Sequence, residues 1–331
     1  MSDLGPVTPS HDGRRVVIRG AGSIGQRHAR VLGMLGADVS VWPVRPRGAR
    51  TGDQQILDDL TGPAALSSAD LVVVATDTSR HVTDAVAALE AGAGRVLLEK
   101  PVAPTRGDAA ALADHPRAAD VWVAAPLRAH EAFRHLSTRL HLVGAPVSAH
   151  VRCHSWLPDW RPDRDYRDSY SARPDEGGVL RDLVHELDYA AVLFGRPTLL
   201  GARLEHTGPL DIHAEQAATL LWHTELATVT CRLDYVTRPT SRGVEIHGPD
   251  GALLWDVPTA TVTHVDSVSR ATSTAFPADL DRDTVMVTQA RAALELAPDT
   301  DPAQRHTAGA PATLAEGLAT LDLCDQARSR S

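Results

Sequence analysis

The segment Arg15-Val16-Val17-Ile18-Arg19-Gly20-Ala21-Gly22-Ser23-Ile24-Gly25 decides the fold of this chain. Its first residues are β-branched and fit a short buried strand, and Gln26 to Leu35 fits a helix. Strand, glycine turn and helix in this order predict a dinucleotide-binding unit: Gly20 permits the tight turn, Gly22 lets backbone approach a pyrophosphate, and Gly25 lets helix pack on strand. The phosphates would lie at the helix N-terminus, where N–H groups and the dipole attract anions. An ordinary strand-to-helix turn is the alternative, because GxGxxG also occurs by chance.

The same alternation continues along the next part of the chain. Residues 70–76 fit a strand, residues 81–90 a helix, and residues 95–98 another buried strand. In open parallel sheets, ligands bind beyond the carboxyl ends of the strands, so Gly22, Thr76 and Lys100 should converge on one crevice. The candidate cofactor-binding residues are Gly20, Gly22, Ser23, Ile24, Gly25, Arg45, Arg47, Thr76, His81, Glu99 and Lys100.

The end of the second strand, Asp38 to Trp42, indicates which dinucleotide is bound. A protein selective for NAD usually places an Asp or Glu there for the ribose 2′-hydroxyl, but here Pro43 occupies that place. Arginines follow at positions 45, 47 and 50, and guanidinium groups suit a 2′-phosphate. The sequence therefore predicts NADP, with NAD as the alternative cofactor and a solvated basic loop as the alternative interpretation.

Lys100 is the only lysine among 33 basic residues. Guanidinium stays protonated under biological conditions, whereas a partly buried ammonium can exchange a proton with a substrate oxygen. Its place at the carboxyl end of a predicted strand, before Pro101, indicates a functional lysine rather than one left on a surface loop.

Composition excludes several classes of protein. The chain has 331 residues, a formal charge of −9 and three widely spaced cysteines with no CxxC pair. These features favour a two-domain, cytoplasmic protein with a small-molecule partner, and they argue against nucleic acid, a membrane span, a disulfide framework or a zinc knuckle. We expect no metal site.

Three motifs, in order, resemble the glucose-fructose oxidoreductase and inositol dehydrogenase (Gfo/Idh/MocA) family of NAD(P)-dependent sugar and cyclitol oxidoreductases. They are Gly20-Ala-Gly-Ser-Ile-Gly-Gln-Arg-His28, Glu99-Lys-Pro101 and Gly177-Gly-Val-Leu-Arg-Asp-Leu-Val-His-Glu-Leu-Asp188. The segment from Leu157 to Ser171 is similar to members of nonulosonic-acid and surface-sugar pathways. The resemblance implies an α/β Rossmann domain, residues 13–124, followed by an α+β domain with an open, mainly antiparallel sheet, residues 125–331, that binds substrate and often forms a homodimer or homotetramer.

The resemblance also implies the catalytic residues. Apolar positions from Leu180 to Val192 recur at helical spacing up to Gly195, which predicts one amphipathic helix. By position in the family motif, Lys100 and His185 are the proton-handling pair and Asp182 is the accessory acid. Many members place three residues between acid and histidine, whereas two intervene here and Arg181 holds the usual acid position.

Substrate contacts are expected from the aromatic and charged loop between Trp156 and Tyr170, which suits a hydroxyl-rich ligand, although it could equally be a loop that grips its own domain. The candidate substrate-binding residues are Arg128, Trp160, Asp165, Tyr166, Tyr170 and Asp188. The sequence thus predicts hydride transfer between a nicotinamide and a hydroxyl or keto carbon of a sugar, nucleotide sugar or cyclitol. The alternatives are a catalytically silent NADP-binding sensor or scaffold, and metal-dependent hydrolysis through His185 and Asp182.

Overall fold

The computed structural model describes residue 11 and residues 13–45, 54–145 and 148–331. The elements of the first half, in chain order, are β1 (Arg15–Arg19), α1 (Ser23–Met34), β2 (Asp38–Trp42), β3 (Gln55–Ile56), α2 (Gly62–Leu66), β4 (Leu71–Val74), α3 (His81–Glu90), β5 (Arg95–Leu98), α4 (Ala110–Ala113), β6 (Val121–Val123), α5 (Glu131–Ser137) and β7 (Ser148–Trp156). The remaining elements are α6 (Val179–Asp182), α7 (His185–Phe194), β8 (Thr198–Glu205), β9 (Ala217–His223), β10 (Thr228–Asp234), β11 (Val236–Gly248), β12 (Gly251–Asp256), β13 (Thr261–Asp266), β14 (Ala271–Ala275), α8 (Arg282–Glu295), α9 (Pro302–Ala308), β15 (Ala312–Thr313) and α10 (Leu314–Ser329).

The first sheet has the order β15-β6-β5-β4-β1-β2-β3. Its neighbours pair in parallel, apart from β15, which runs antiparallel to β6. Excluding β15, the order reverses at β1 as in a doubly wound dinucleotide-binding sheet, so the carboxyl ends of β1 and β4 lie side by side. The predicted Rossmann fold is confirmed.

The first unit contains a part of the chain that we expected elsewhere. It comprises the described residues up to Ala103, Gly107–Ala129 and Arg282–Ala315. Helix α8 buries Met286, Ala290 and Ala293 in the core formed by the parallel strands and α1. A single boundary at residue 124 therefore does not describe the structure, because the side chains of Met286, Ala290 and Ala293 pack in the core of the first unit.

The second unit is built on eight strands in the order β14-β13-β12-β11-β7-β10-β9-β8. All neighbours are antiparallel except β7 and β10, which run parallel, so the predicted mainly antiparallel sheet is confirmed. Buried and exposed residues alternate along β7 and β9, as expected when helices cover one face of a sheet. The buried face carries tilted and edge-on ring contacts among Phe133, Tyr189 and Trp255.

The predicted helix after Gly178 is interrupted, and our expectation of one continuous helix was wrong. Helix α6 ends at Asp182 and α7 begins at His185, with Leu183 at φ −98° and ψ 29° between them. In a continuous helix the Leu180 carbonyl would accept from the amide four residues on, but it accepts from the Cys324 thiol at 3.8 Å. Asp182 and His185 therefore belong to different helices despite their spacing.

Helix α7 is anchored to the sheet by a buried ion pair. Arg242 on β11 donates from Nε and Nη2 to the two carboxylate oxygens of Glu186 at 2.6 and 2.9 Å. Glu186 is completely buried, and a carboxylate there needs such a partner because an isolated buried charge is strongly unfavourable. This contact fixes the start of α7, where His185 lies.

Within the described ranges, no helix combines the length and the apolar character needed to span a bilayer.

Candidate active site

The glycine turn has the geometry of a phosphate-binding loop. Gly20 has φ +109°, and a Cβ there would collide with the Ala75 carbonyl; a Cβ on Gly25 would collide with the Gly20 carbonyl. Gly22 caps α1 with φ −71°, and a Cβ there would meet nothing within 4 Å. Packing thus requires glycine at positions 20 and 25. At Gly22, by contrast, the space next to the helix N-terminus is empty. The first-turn amides of Ser23 and Ile24 have no partner within a helix, so this cradle fits a pyrophosphate.

A hydroxyl at the neighbouring strand end also suits a ligand. Thr76 follows β4, and among the described residues its buried Oγ1 has no hydrogen-bond partner. A buried hydroxyl without a partner is unfavourable unless a ligand or water supplies one. The unpartnered Thr76 hydroxyl and the empty space at Gly22 both fit a bound dinucleotide.

Arg19, at the end of β1, is largely buried. Its guanidinium lies 4.0 Å from the centre of the Trp42 ring, donates to the Pro43 carbonyl at 3.0 Å, and approaches Asp84 Oδ1 at 3.3 Å. Arg80 donates to the same carboxylate at 3.1 and 3.2 Å. Arg19 therefore fixes the end of β2 and joins it to α3.

The arginines expected to contact the 2′-phosphate are only partly described. Arg45 is exposed just beyond β2, whereas Arg47 and Arg50 lie outside the described residues. An acidic side chain does approach the end of β2: Trp42 Nε1 donates to Asp59 Oδ1 at 3.1 Å. This acid lies beyond β3, so inspection of the residues directly after β2 did not find it.

His81, at the start of α3, contacts the segment that follows β4 and the segment that follows β5. Its Nδ1 lies 2.7 Å from the Pro101 carbonyl and its Nε2 lies 3.2 Å from the Thr76 carbonyl. Burial lowers the pKa of His81 below its ordinary value, although the two carbonyl contacts and the charge of Glu99 act to raise it. This histidine holds the residues after β4 and β5 in place.

Glu99 and Lys100 follow β5. Glu99 Oε1 lies 2.8 Å from His28 Nε2, and its Oε2 accepts from the Lys100 amide at 3.3 Å. Burial acts to raise the pKa of Glu99, but the hydrogen bond and charge of His28 and the charge of Lys100 outweigh it, so the pKa lies below its ordinary value. The half-buried Lys100 thus follows an ionised carboxylate whose position is set by a histidine on α1.

The predicted acid of the second unit has a partner that the sequence did not reveal. Tyr235 is fully buried at the junction of β10 and β11, and its hydroxyl donates to Asp182 Oδ2 at 2.6 Å. Burial, and then the charge of Asp182, raise the pKa of Tyr235 well above its ordinary value, so the phenol stays protonated. The Trp160 ring meets the Tyr235 ring edge-on, with centroids 5.4 Å apart.

His185 and Asp188 lie on α7. His185 is half-buried at the first position of the helix and Asp188 is buried. Arg181, which occupies the usual acid position of the motif, donates to the carbonyls of Pro104, Pro174 and Gly177 at 2.9–3.1 Å. Arg181 therefore holds the chain around α6, and Asp182 is the carboxylate that Tyr235 contacts.

The loop between Trp156 and Tyr170 makes many contacts with its own domain. Asp165 accepts from the Arg167 backbone and side chain at 2.9–3.1 Å, and the Tyr166 hydroxyl accepts from the Asp211 amide at 3.3 Å. Trp160 is 40% exposed and keeps a face available to a ligand. Asp165 and Tyr166 thus stabilise the loop, and Trp160 is the stronger candidate for substrate contact.

The remaining two substrate candidates differ in environment. Tyr170 begins a short 3₁₀ turn, and its carbonyl packs so closely on Gly177 that a Cβ there would collide with it. Arg128 is buried in a 3₁₀ turn, Pro126–Ala129, which belongs to the first unit. Among the described residues no group of three or more His, Cys, Asp or Glu side chains is arranged to hold a metal ion.

Fold and glycine cradle together define a dinucleotide-binding protein with a second, sheet-based domain. Residues 14–125 match the oxidoreductase family with an NAD-binding Rossmann fold, and residues 140–254 match the GFO/IDH/MocA C-terminal domain. The chain belongs to the GFO/IDH/MocA oxidoreductase family. No curated protein matches it in sequence.

Solved structures share this fold at low sequence identity. An oxidoreductase domain protein from Kribbella flavida aligns with a TM-score of 0.75 and 18% identity over 97% of both chains. A levoglucosan dehydrogenase in complex with NADH aligns with a TM-score of 0.79 and 16% identity over 96% of this chain and 98% of the other. A UDP-N-acetylglucosamine 3-dehydrogenase from Acidithiobacillus ferrooxidans aligns with a TM-score of 0.73 and 19% identity over 96% of this chain and 97% of the other. At these identities the likeness concerns the fold.

Proposed function

We propose that this protein transfers a hydride between NADP and a hydroxyl or keto carbon of a sugar, nucleotide sugar or cyclitol. The observation that carries the proposal is the place of Lys100, the only lysine of the chain, directly after β5 of a Rossmann sheet whose glycine turn leaves open space above Gly22. Ligands of such sheets bind beyond the carboxyl ends of the strands. Two structures with the same fold are named as sugar and nucleotide-sugar dehydrogenases, which supports the substrate class.

The residues have separate roles in this proposal. A bound nicotinamide supplies the hydride acceptor or donor. Lys100 holds the reacting oxygen by a hydrogen bond, and His185 gives or takes its proton, for which an imidazole is suited near neutral pH. Asp182 tunes this pair. Ser23 and Ile24 offer backbone amides to the pyrophosphate, and the Thr76 hydroxyl offers a further contact.

The substrate-binding part of the proposal rests on the second unit. Trp160 is 40% exposed, and aromatic rings are apolar surfaces of the kind on which sugar rings pack. Arg238 lies 4.8 Å from the centre of the Trp156 ring and pairs with Asp159 at 2.6 and 2.9 Å. These aromatic and charged groups favour a hydroxyl-rich ligand, including one that carries an anionic group. Homodimer or homotetramer formation, which light scattering would measure, is part of the same proposal.

The proposal is tested by absorbance at the reduced-nicotinamide band. The protein is mixed with NADPH and a panel of keto sugars, nucleotide sugars and cyclitol ketones, and with NADP and the corresponding alcohols. We expect nicotinamide-dependent turnover of at least one compound. A catalytically silent sensor would bind the dinucleotide and leave the absorbance unchanged across the whole panel.

The cofactor preference is a second expected result. We expect kcat/KM to favour NADP over NAD by about tenfold or more, because charge-assisted bonds from arginine to a 2′-phosphate exceed the ~1.4 kcal/mol that this ratio represents. The Arg45→Ala variant should lose part of the preference, while Arg80→Ala, which alters an arginine already paired with Asp84, is the control. A tenfold preference of the wild-type protein for NAD would overturn the assignment.

A further inference from the structure

The hydroxyl of Tyr235 is placed to control the Asp182 carboxylate. It donates to Asp182 Oδ2 at 2.6 Å, and both residues are buried, at 0% and 5% exposure. A hydrogen bond to a charged acceptor is about twice as strong as one between neutral groups, and it is stronger still away from water. The position of the Asp182 carboxylate on α6 is therefore fixed by a side chain from the junction of β10 and β11.

The tyrosine itself is held rigidly. Its backbone amide donates to the Gln216 carbonyl at 2.9 Å, its carbonyl accepts from the Leu157 amide at 3.0 Å, and its ring meets the edge of Trp160 at 5.4 Å. Leu157 and Trp160 belong to the same short turn, Leu157–Trp160. The Tyr235 side chain thus contacts both Asp182 and Trp160, which belongs to the candidate substrate loop.

We propose that Tyr235 is a positioning residue that orients the Asp182 carboxylate and couples it to the loop bearing Trp160. This inference rests on the proposed function for the role of Asp182 in turnover, but the contact itself does not. A buried carboxylate oxygen that loses its hydrogen-bond donor loses the contact that orients it, and leaving such an oxygen unsatisfied is unfavourable. The chain uses a phenol here because it remains protonated throughout the neutral range.

The test is Tyr235→Phe, which removes the hydroxyl and keeps the ring. The matched control is Tyr189→Phe: Tyr189 is also fully buried in the second unit, and its hydroxyl donates to the Gly243 carbonyl at 3.1 Å. Each variant loses one buried hydrogen bond, but only Tyr235→Phe acts on a carboxylate. A merely structural tyrosine would give the same result at both positions.

The first readout needs no substrate. In protein labelled with ¹³C at the aspartate carboxyl, the Asp182 signal is assigned by its absence in Asp182→Asn, and its chemical shift is compared in wild type and both variants at one pH. We expect the Asp182 signal to move in Tyr235→Phe, because its Oδ2 loses the hydrogen-bond donor at 2.6 Å, and to stay unchanged in Tyr189→Phe. An unchanged Asp182 signal in Tyr235→Phe would overturn the proposal whatever the protein catalyses.

The second readout is kinetic. In Tyr235→Phe we expect kcat to fall about tenfold with KM little altered, whereas Trp160→Ala should raise KM more than it lowers kcat. A shifted Asp182 signal in a protein without nicotinamide turnover would refute the proposed function and leave the Tyr235 contact standing. A shifted Asp182 signal together with an unaltered kcat would overturn the positioning role in turnover.

Discussion

Replacing Lys100 by arginine should abolish most turnover while leaving the dinucleotide bound. We expect Lys100→Arg to lose kcat by about a hundredfold or more, the contribution of one positioned proton-transfer group. The guanidinium keeps the positive charge beside Glu99, so cofactor affinity and the Glu99–His28 contact at 2.8 Å should persist. Arginine lacks a proton that it can release to a substrate oxygen near neutral pH, and it lacks the compact geometry of an ammonium. Steady-state kinetics and titration of NADPH fluorescence measure the two effects separately.

Strand β5 supplies the matched control for this substitution. Arg95→Lys makes the opposite exchange at the first residue of the strand that Lys100 follows, where the arginine donates to the Leu294 carbonyl at 3.2 Å. We expect this variant to keep wild-type kcat. Turnover in Lys100→Arg within a few-fold of wild type would mean that the lysine is not a proton-handling residue.

A side chain at Gly22 should block the cofactor and spare the fold. Gly22 has φ −71°, which any residue adopts, and a Cβ there meets nothing within 4 Å. We therefore expect Gly22→Val to unfold at the wild-type temperature. The added methyl groups would occupy the space where the pyrophosphate approaches the α1 amides, and we expect the Kd for NADPH to rise about a hundredfold, or ~2.7 kcal/mol. Isothermal titration calorimetry measures the Kd for NADPH, and differential scanning calorimetry measures the unfolding temperature.

Substitutions at two other glycines, Gly33 and Gly25, are the controls for Gly22→Val. Gly33→Val lies on the same helix, also with nothing within 4 Å, and should change neither affinity nor stability appreciably. Gly25→Ala should unfold at a lower temperature, because its Cβ would collide with the Gly20 carbonyl. Wild-type affinity in Gly22→Val would show that the open space at this helix N-terminus is not a phosphate site.

The sequence predicted the features that depend on local pattern. β1, the glycine turn and α1 follow from residues within one short segment, because strand character, turn geometry and helical spacing are each set by near neighbours. The stretch from Thr313 to Arg328 likewise predicts a helix from near neighbours alone, and α10 spans Leu314–Ser329. The family motifs placed Lys100 after β5 in the same way.

Features that depend on distant contacts were missed. The apolar spacing runs without interruption through Leu183, so no local pattern marks the break that the Cys324 thiol accompanies, 144 residues away from Leu180. The contact of Tyr235 with Asp182 spans 53 residues, and that of His28 with Glu99 spans 71. Contacts between two polar residues at such separations leave no periodic signal in one sequence. In the sequence, a buried tyrosine between two strands cannot be distinguished from an ordinary core residue, and only the structure shows its hydrogen bond to Asp182.

The central claim, hydride transfer between nicotinamide and a sugar carbon, is tested most directly with NADPH that carries deuterium at C4 of the nicotinamide. The cofactor carries deuterium at both C4 positions, so that the label is transferred whichever of the two hydrogens the protein uses. It is incubated with the protein and the panel of keto sugars, nucleotide sugars and cyclitol ketones, and the products are analysed by mass spectrometry and NMR. We expect deuterium on the carbinol carbon of the reduced product. Reduced product without deuterium at that carbon, or no reduced product from any compound with either NADPH or NADH, would contradict it.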